Sequence, residues 1–510
     1  MSLPSPALAV PLKQSSLLEL KARASVADHD RGSLTSGIVH IGVGGFNRSH
    51  LAVYLDDLLL TSSAAGHWGE FGIGLLPADI ALHDALAEQD FLYGVLERDR
   101  DIENYRVIGS LTGHLYAPDA QQEVIDQLAS PECKIISLTV TEGGYFLDDL
   151  SGEFRLAEEA IQRDLENSDA PATWVGYVAA AASARMRRGL PFTLLSCDNL
   201  QSNGEAARKA LLSFAAARGG ALHSWIAANV TFPNSMVDRI TPRTSAADRD
   251  FIAKHFGVRD LAPVVTEPFR QWVLEDNFAA GRPAFEQAGV YMTSDVAPYE
   301  KTKMRLLNGG HFCIAYCSAL LDIPTVAGAV ADLQIREMLE QFLSKVRTTL
   351  RDLPGIDLDE YTATILRRFT NPAIGDQISR ICSDGSAKIT KFILPSLRDL
   401  LTAKAAANLV PLVVASWLHY QRGVTESGQV FAISDPGGFV LAPFLAAGGD
   451  DAALAFALRP IFGDMAQEFP LLVPAVQQHL DNFRISGVRA TLAKALGSPG
   501  VSKRDRRSAQ

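Results

Sequence analysis

Up to about residue 295, short apolar runs alternate with stretches whose apolar residues fall at helical spacing. Ile38-Val39-His40-Ile41-Gly42-Val43 is a β-branched run entering glycines, which predicts a buried strand feeding a tight turn. Residues 49–60 (SHLAVYLDDLLL) predict a helix that ends before Gly66, and 71–76 (FGIGLL) predict a second strand. Residues 79–88 predict another helix, with Asp79 placed to cap it. The plainest strands are 134–140 (KIISLTV) and 192–197 (FTLLSC). Such alternation implies a largely parallel sheet covered on both faces. Beyond 295 the texture changes, and 301–321, 326–350 and much of 390–500 are helical in spacing and rich in Ala and Leu. An N-terminal α/β domain over 37–295 and a mostly α-helical C-terminal domain over 296–500 are therefore expected, with the change near Asp295–Tyr299. Residues 1–36, with Pro4, Pro6 and Pro11 and a polar stretch through Asp28–Asp30, read as an arm lying over the surface. The basic end, Ser502–Gln510 within 501–510, reads as a frayed tail.

Composition narrows the function classes. The 510 residues carry 47 Lys and Arg against 58 Asp and Glu, a formal charge of −11, which argues against nucleic acid or an anionic membrane as the main partner. Hydrophobic residues at 47% leave ample apolar surface to bury, which excludes disorder over most of the length. No apolar run approaches the roughly eighteen residues of a membrane span, and the first residues lack the pattern of a secretory signal. A cytoplasmic protein is expected. Cys133, Cys197, Cys313, Cys317 and Cys382 are odd in number and scattered, so they read as small buried hydrophobes. No paired Cys-x-x-Cys or His-Glu-x-x-His spacing suggests a metal, and none is expected.

Gly42-Val43-Gly44-Gly45-Phe46-Asn47 lies between a predicted strand and a predicted helix, the setting of a dinucleotide-binding turn. Gly42 allows the tight turn, Gly44 lets backbone approach a pyrophosphate, and the helix start offers unpaired N–H groups. Position three of the usual Gly-x-Gly-x-x-Gly is Asn47, so the motif is incomplete, and a purely structural turn is an equal reading. Asp79 stands 37 residues past Gly42, later than the usual ~20 for a ribose-binding acid. It reads equally as that acid, favouring NAD over NADP by repelling a 2′-phosphate, or as a helix cap.

The segment 299–313 (YEKTKMRLLNGGHFC) carries the candidate chemistry. At about 100° per residue, Lys303, Asn308 and His311 fall near 0°, 140° and 80°, one broad sector, with Gly309 and Gly310 leaving space beside them. A lysine buried beside a cationic nicotinamide is driven towards the neutral amine and takes a hydroxyl proton. An Asn amide stabilises a developing alkoxide and a His orients the same oxygen. From spacing alone, a solvated lysine and a core histidine remain the competing reading. Cys197-Asp198-Asn199 and Thr141-Glu142-Gly143-Gly144-Tyr145 end two predicted strands, where open α/β sheets bind ligands.

Together these segments resemble the polyol-specific long-chain dehydrogenases, over roughly residues 30 to 495. HIGVGGFNRSH at 40–50 is similar to the family's turn, which itself lacks the third glycine. ISLTVTEGGY at 136–145, LLSCDNLQSNG at 194–204, FPNSMVDRITP at 232–242 and EPFRQWVLED at 267–276 follow in order. So do the Lys-x₄-Asn-x₂-His signature at 303–311 and RICSDGSAK at 380–388. The resemblance implies a Rossmann-like NAD-binding domain and an NAD-dependent, metal-independent oxidation of D-mannitol at C2 to D-fructose, reversible, by an enzyme that is largely monomeric. It implies Lys303 as general base, Asn199 and Asn308 as the pair on the reacting oxygen, His311 as its positioner and Glu142 as the relay of the proton to solvent. Asp238, Arg380 and Lys388 match positions that grip polyol hydroxyls. Gly42, Gly44, Gly45 and Phe46 match the cofactor turn, and Asp79 the ribose-binding acid. Ala78 stands where some members carry a second acid, which implies weaker rejection of NADP. Asn47 and Ser49 replace His and Ala of the usual turn, implying a local effect on cofactor affinity.

The nearest alternatives keep the mechanism and change the substrate: D-arabinitol, D-sorbitol, or a sugar acid of the fructuronate type anchored by Arg380 and Lys388. A non-catalytic NAD-binding regulator would leave the catalytic set damaged, whereas all four of Lys303, Asn308, His311 and Asn199 are present. A lysine Schiff-base lyase would leave the glycine turn and Asp79 without purpose.

Overall fold

A computed structural model describes residues 9–26, 29–61, 68–100, 102–148, 151–404 and 409–497. Pro4, Pro6, Asp28, Gly66 and the tail at 502–510 lie outside the described residues. The chain divides into two compact units, with the division between Ala297 and Pro298.

The N-terminal unit is built on six strands: β1 (Thr35–Ile41), β2 (Trp68–Gly74), β3 (Leu111–Tyr116), β4 (Ile135–Leu138), β5 (Phe192–Ser196) and β6 (Val230–Thr231). Their spatial order is β6-β5-β4-β1-β2-β3 and every neighbouring pair is parallel. That is the 3-2-1-4-5-6 order of the doubly wound dinucleotide-binding sheet, in which the crevice opens where the order reverses, between β1 and β4. Successive side chains serve opposite faces. Val39, Ile136 and Leu194 join one buried cluster with the helices Gln121–Ala129, Trp174–Arg188 and Asn203–Arg218. Ile38, Ile135 and Leu195 join a second with Leu51, Leu55 and Trp272. Burial on both faces explains why these strands read as unbroken apolar runs.

Several boundaries differ from the sequence pattern. The first strand ends at Ile41, before the glycines, and the predicted helix is two pieces, Gly45–Ser49 and Leu51–Thr61, parted at His50 (φ −119°, ψ −88°). The second strand spans Trp68–Gly74, so Leu75 and Leu76 lie beyond it. The hairpin Tyr93–Arg98 with Glu103–Ile108 and the pair Ser235–Asp238 with Gln271–Glu275 were not visible in the pattern. The segment read as a surface arm is woven into this unit. Val10–Pro11 pairs with Val258–Arg259, Ser25–Val26 pairs with Arg106–Val107, and Leu12 and Leu20 are buried with Leu92, Tyr105 and Val258. Apolar residues spaced among prolines supply anchors that a proline count does not reveal.

The C-terminal unit is helical, around one core that includes Ile314, Leu339, Ile365, Leu397, Trp417 and Leu480. Its helices are more broken than the pattern suggested. Residues 326–350 form Val326–Ala331 and Leu333–Arg347, interrupted at Asp332, whose carboxylate caps the second helix through the N–H groups of Gln334 and Ile335. The last helix, Leu472–Leu496, is kinked at Gly487 (φ +81°). All five cysteines are free and buried, as small hydrophobes are. No described helix is long and apolar enough to cross a membrane.

Candidate active site

In the N-terminal unit the site is assembled at the carboxyl ends of β1, β2, β4 and β5. Gly42 has φ +92°, and a Cβ there would stand 2.3 Å from the Thr139 carbonyl oxygen, so the turn after β1 requires glycine on two counts. Gly44 is different: its added Cβ would meet only the Gly42 oxygen, at 3.7 Å. The protein itself leaves open space at Gly44, a cradle that fits the approach of a pyrophosphate to backbone. A Cβ on Gly45 would likewise meet only Thr241, at 3.6 Å. Phe46 stacks on His50, ring centroids 4.9 Å apart. Arg48 does not face the turn's open side: it donates to the carbonyls of Gly44 and Ala262 and lies over the Tyr93 ring.

Asp79 stands at the N-cap position of the helix Ile80–Glu88, but its side chain makes no capping hydrogen bond to that helix. Its Oδ2 accepts from the Leu76 N–H at 2.8 Å, which points backwards into the loop after β2. Its Oδ1 makes no hydrogen bond among the described residues, leaving an acceptor for a ribose hydroxyl.

At the ends of β4 and β5, one residue ties the two loops together. The Asp198 carboxylate accepts from the N–H groups of Val140 (3.0 Å) and Thr141 (2.9 Å) and from the Tyr145 hydroxyl (2.7 Å). Burial pushes this carboxyl above its ordinary range, while those three hydrogen bonds pull it back. The clamp holds Thr141 at φ +63°, a costly conformation for a β-branched residue, and so sets where the next residue, Glu142, begins. Glu142 and Asn199 are both exposed, flanking this clamp. Asp238 ends the strand Ser235–Asp238, is 4% exposed and lies close enough to His50 to act on it electrostatically. The His50 ring binds the Gln271 carbonyl, and burial pushes it down to about 3.

In the C-terminal unit, Lys303 is 6% exposed at the end of the helix Ala297–Lys303. The next residues, Met304–Asn308, form a π-helical turn before the helix Gly309–Leu320 begins. The wider turn advances by less than 100° per residue, so Asn308 and His311 lie closer to Lys303 in angle than straight α-helical counting places them. Arg305, on this turn, is anchored to Asp399 at 3.1 Å. Gly309 and Gly310 do not leave space for a ligand. A Cβ on Gly309 would stand 3.2 Å from Phe342, and one on Gly310 3.3 Å from Leu339, so both glycines admit the close approach of the helix Leu333–Arg347.

His311 stacks on Phe369 at 4.0 Å, and its Nε2 lies 3.8 Å from Asp376 Oδ2. Asp376 accepts from Arg380 through Nε (2.9 Å) and Nη2 (2.7 Å). The Lys388 ammonium reaches the Ser383 hydroxyl and sits 5.7 Å from the centre of the Phe312 ring. Two residues singled out in the sequence, His311 and Arg380, thus meet at one that was not, Asp376, while Lys388 lies against the carbonyls of Arg380 and Ile381. The signal for Asp376 was an acid four residues before Arg380, the spacing of a helical ion pair. Among the described residues, no group of three or more His, Cys, Asp or Glu side chains is placed to hold a metal ion.

A doubly wound sheet with a glycine cradle and an acid after β2, joined in sequence to a helical unit bearing a buried Lys-x₄-Asn-x₂-His, defines a Rossmann-type protein of the dehydrogenase class. Two family profiles match, the Mannitol dehydrogenase Rossmann domain over residues 36–287 and the Mannitol dehydrogenase C-terminal domain over residues 295–484, and the chain belongs to the mannitol dehydrogenase family. It is 40% identical to a mannitol 2-dehydrogenase of Aspergillus fumigatus over 93% of this chain and 96% of the relative. A solved structure of Pseudomonas fluorescens mannitol 2-dehydrogenase, a ternary complex with NAD and D-mannitol, matches with TM-score 0.84 and 42% identity, covering 96% of this chain and all (100%) of the other. A D-sorbitol dehydrogenase in substrate-free form matches with TM-score 0.87 and 35% identity, covering 95% and 100%.

Proposed function

We propose that this polyol dehydrogenase uses NAD to oxidise D-mannitol at C2 to D-fructose, reversibly and without a metal, with Lys303 as the general base. The observation that carries the reading is Lys303 itself, buried and set directly before a π-helical turn that brings Asn308 and His311 round towards it. Bound NAD supplies the hydride acceptor. Gly42, Gly44, Gly45 and Phe46 form its turn, and Asp79 offers Oδ1 to the ribose. Burial favours the neutral amine that a base must be, so Lys303 takes the proton of the reacting hydroxyl. Asn199 and Asn308 donate to the oxygen as charge develops on it, and His311, backed by Asp376, orients it. Glu142, exposed, passes the proton to solvent. Asp238, Arg380 and Lys388 hold the remaining hydroxyls, since an uncharged polyol is recognised through hydrogen bonds. D-Sorbitol is the second candidate, because a D-sorbitol dehydrogenase matches nearly the whole chain. We further place the enzyme as a cytoplasmic monomer, which light scattering and cell fractionation test.

The test is NADH formation by purified enzyme with chelator present, on D-mannitol, D-arabinitol and D-sorbitol separately, with NAD and then NADP. Turnover is expected to be fastest on D-mannitol with NAD and unchanged by chelator. Lys303→Ala is expected to lower kcat by a factor on the order of 10² to 10⁴. Inactivity on all three polyols, with turnover of a ketouronic acid and NADH, would sink the substrate assignment. An active Lys303→Ala enzyme would sink the base.

A further inference from the structure

The cofactor turn departs from the general Gly-x-Gly-x-x-Gly motif at its third position, where Asn47 stands instead of a small residue. Asn47 is 1% exposed, and its side-chain amide donates to Glu70 Oε1 at 2.6 Å. Glu70 lies on β2 opposite Ile38 of β1, is fully buried, and its Oε2 has no hydrogen-bond partner among the described residues. Beside it on β1 is His40, with Nδ1 3.8 Å from Oε1. The His40 ring pairs with the Ser137 hydroxyl through Nδ1 and the Thr139 hydroxyl through Nε2, both at 2.8 Å. The Thr139 hydroxyl in turn donates to the Gly42 carbonyl at 2.7 Å. One buried polar cluster therefore grips the turn where it begins, at Gly42, and where it closes, at Asn47. The reaction described above uses none of Asn47, Glu70, His40 or Thr139.

We propose that Asn47 and Glu70 act as a pair in place of the missing small residue, and that Glu70 is a positioning residue holding the cofactor turn in the shape NAD requires. The proposal rests on the NAD-binding reading of this turn. In the standard motif a small third residue lets the helix press against the sheet. Here a longer side chain occupies that contact, and it is accommodated only because the sheet presents an acceptor to it.

The chemistry around Glu70 makes this grip sensitive to alkali. The groups facing it are the Asn47 amide from the helix, His40 from β1, and the Tyr93 hydroxyl and Cys197 thiol, which feel its charge. None supplies a cation: burial pushes His40 down to about 3, and Arg48 is turned to the carbonyls of Gly44 and Ala262. Burial correspondingly pushes the Glu70 carboxyl up to about 8, with the Asn47 hydrogen bond pulling against it. Below that pH it sits neutral; above it, a buried ion is left without a cation beside it and with one oxygen unpartnered, which favours opening of the cluster.

The test measures NADH binding to the full-length enzyme by fluorescence titration between about pH 6 and about pH 9, beside KM for NAD and for the polyol. Wild-type affinity for NADH is expected to fall about tenfold across the alkaline half of that range, and Glu70→Gln, which cannot ionise, to stay flat at the neutral wild-type value. Asn47→Ala is expected to weaken NADH binding about tenfold at neutral pH while leaving kcat and the polyol KM nearly unchanged, a split that general loss of structure would not produce. An alkaline loss identical in wild type and Glu70→Gln, or Asn47→Ala binding like wild type, would overturn the proposal while leaving the NAD reading in place. A wild-type enzyme that binds no NADH at any pH would overturn the NAD reading first. Should Asn47→Ala fail to fold, the pH profile of the isosteric Glu70→Gln decides alone.

Discussion

A glycine is required either by its own backbone or by what must pass close to it, and Gly42 and Gly44 separate the two cases. Alanine at 42 meets both a positive φ and the Thr139 carbonyl at 2.3 Å, so Gly42→Ala is expected to lose several degrees in thermal midpoint as well as activity. Alanine at 44 meets only an ordinary contact at 3.7 Å, so Gly44→Ala is expected to keep the wild-type midpoint and to raise KM for NAD about tenfold or more. Equal midpoints for the two variants, measured by calorimetry, would refute the distinction. These glycines, Lys303, Asn308 and His311 were legible in the sequence as candidates because each belongs to a short motif of fixed spacing, whereas Asp79, 37 residues past Gly42, stood out only through the family resemblance. Asn47 was legible only as a departure from one. Its partner Glu70 is 23 residues away on β2, and the pairing exists only once the helix after β1 is seated against β2. Asp376 was hidden differently: a lone acid in a loop carries no chemistry until Arg380 and His311 are placed around it.

The helix bearing the catalytic candidates shows how an element can be foreseen and still misread. Its apolar spacing made 301–321 one helix, but a π-helical turn at Met304–Asn308 parts Lys303 from the helix that follows. One additional residue in the turn leaves the apolar pattern nearly intact, so the pattern cannot report it. The paired glycines were read as leaving space beside Lys303, Asn308 and His311; they serve packing. Gly310→Leu is accordingly expected to destabilise the helical unit by about 1–3 kcal/mol through overpacking against Leu339, Leu343 and Phe369, read as a lowered unfolding midpoint. A wild-type midpoint would show that the space was free after all. The break at Asp332 is the converse, an aspartate whose capping role was written locally but masked by apolar spacing on both sides.

Buried histidines make the stability of the folded protein depend on pH. His40 and His50 are each held down to about 3 by burial, and His114 and His419 to about 4. Unfolded, each takes a proton below its ordinary 6.5. Over the interval below that value the unfolded chain binds more protons than the folded one, so stability falls as pH falls. Glu70 has the opposite sign: its folded value near 8 lies above the ordinary 4.5, so its contribution falls as pH rises between them. The histidines outweigh Glu70 over this interval, so the unfolding midpoint is expected to drop by roughly 5 °C on going from neutral pH to about pH 5, and a flat midpoint over that range would refute the accounting. The sequence alone determined what depends on composition and on neighbours along the chain: the parallel α/β half and the helical half, the turn glycines and the buried cysteines, because periodicity and short-range chemistry are local properties. The tertiary structure alone decided that the first described residues are woven into the sheet-bearing unit, that Asp198 clamps two strand ends, that Asp376 joins His311 to Arg380, and that Glu70 receives Asn47. Each of these is a contact between distant positions, whose energy exists only after folding has brought the partners together and removed the water between them.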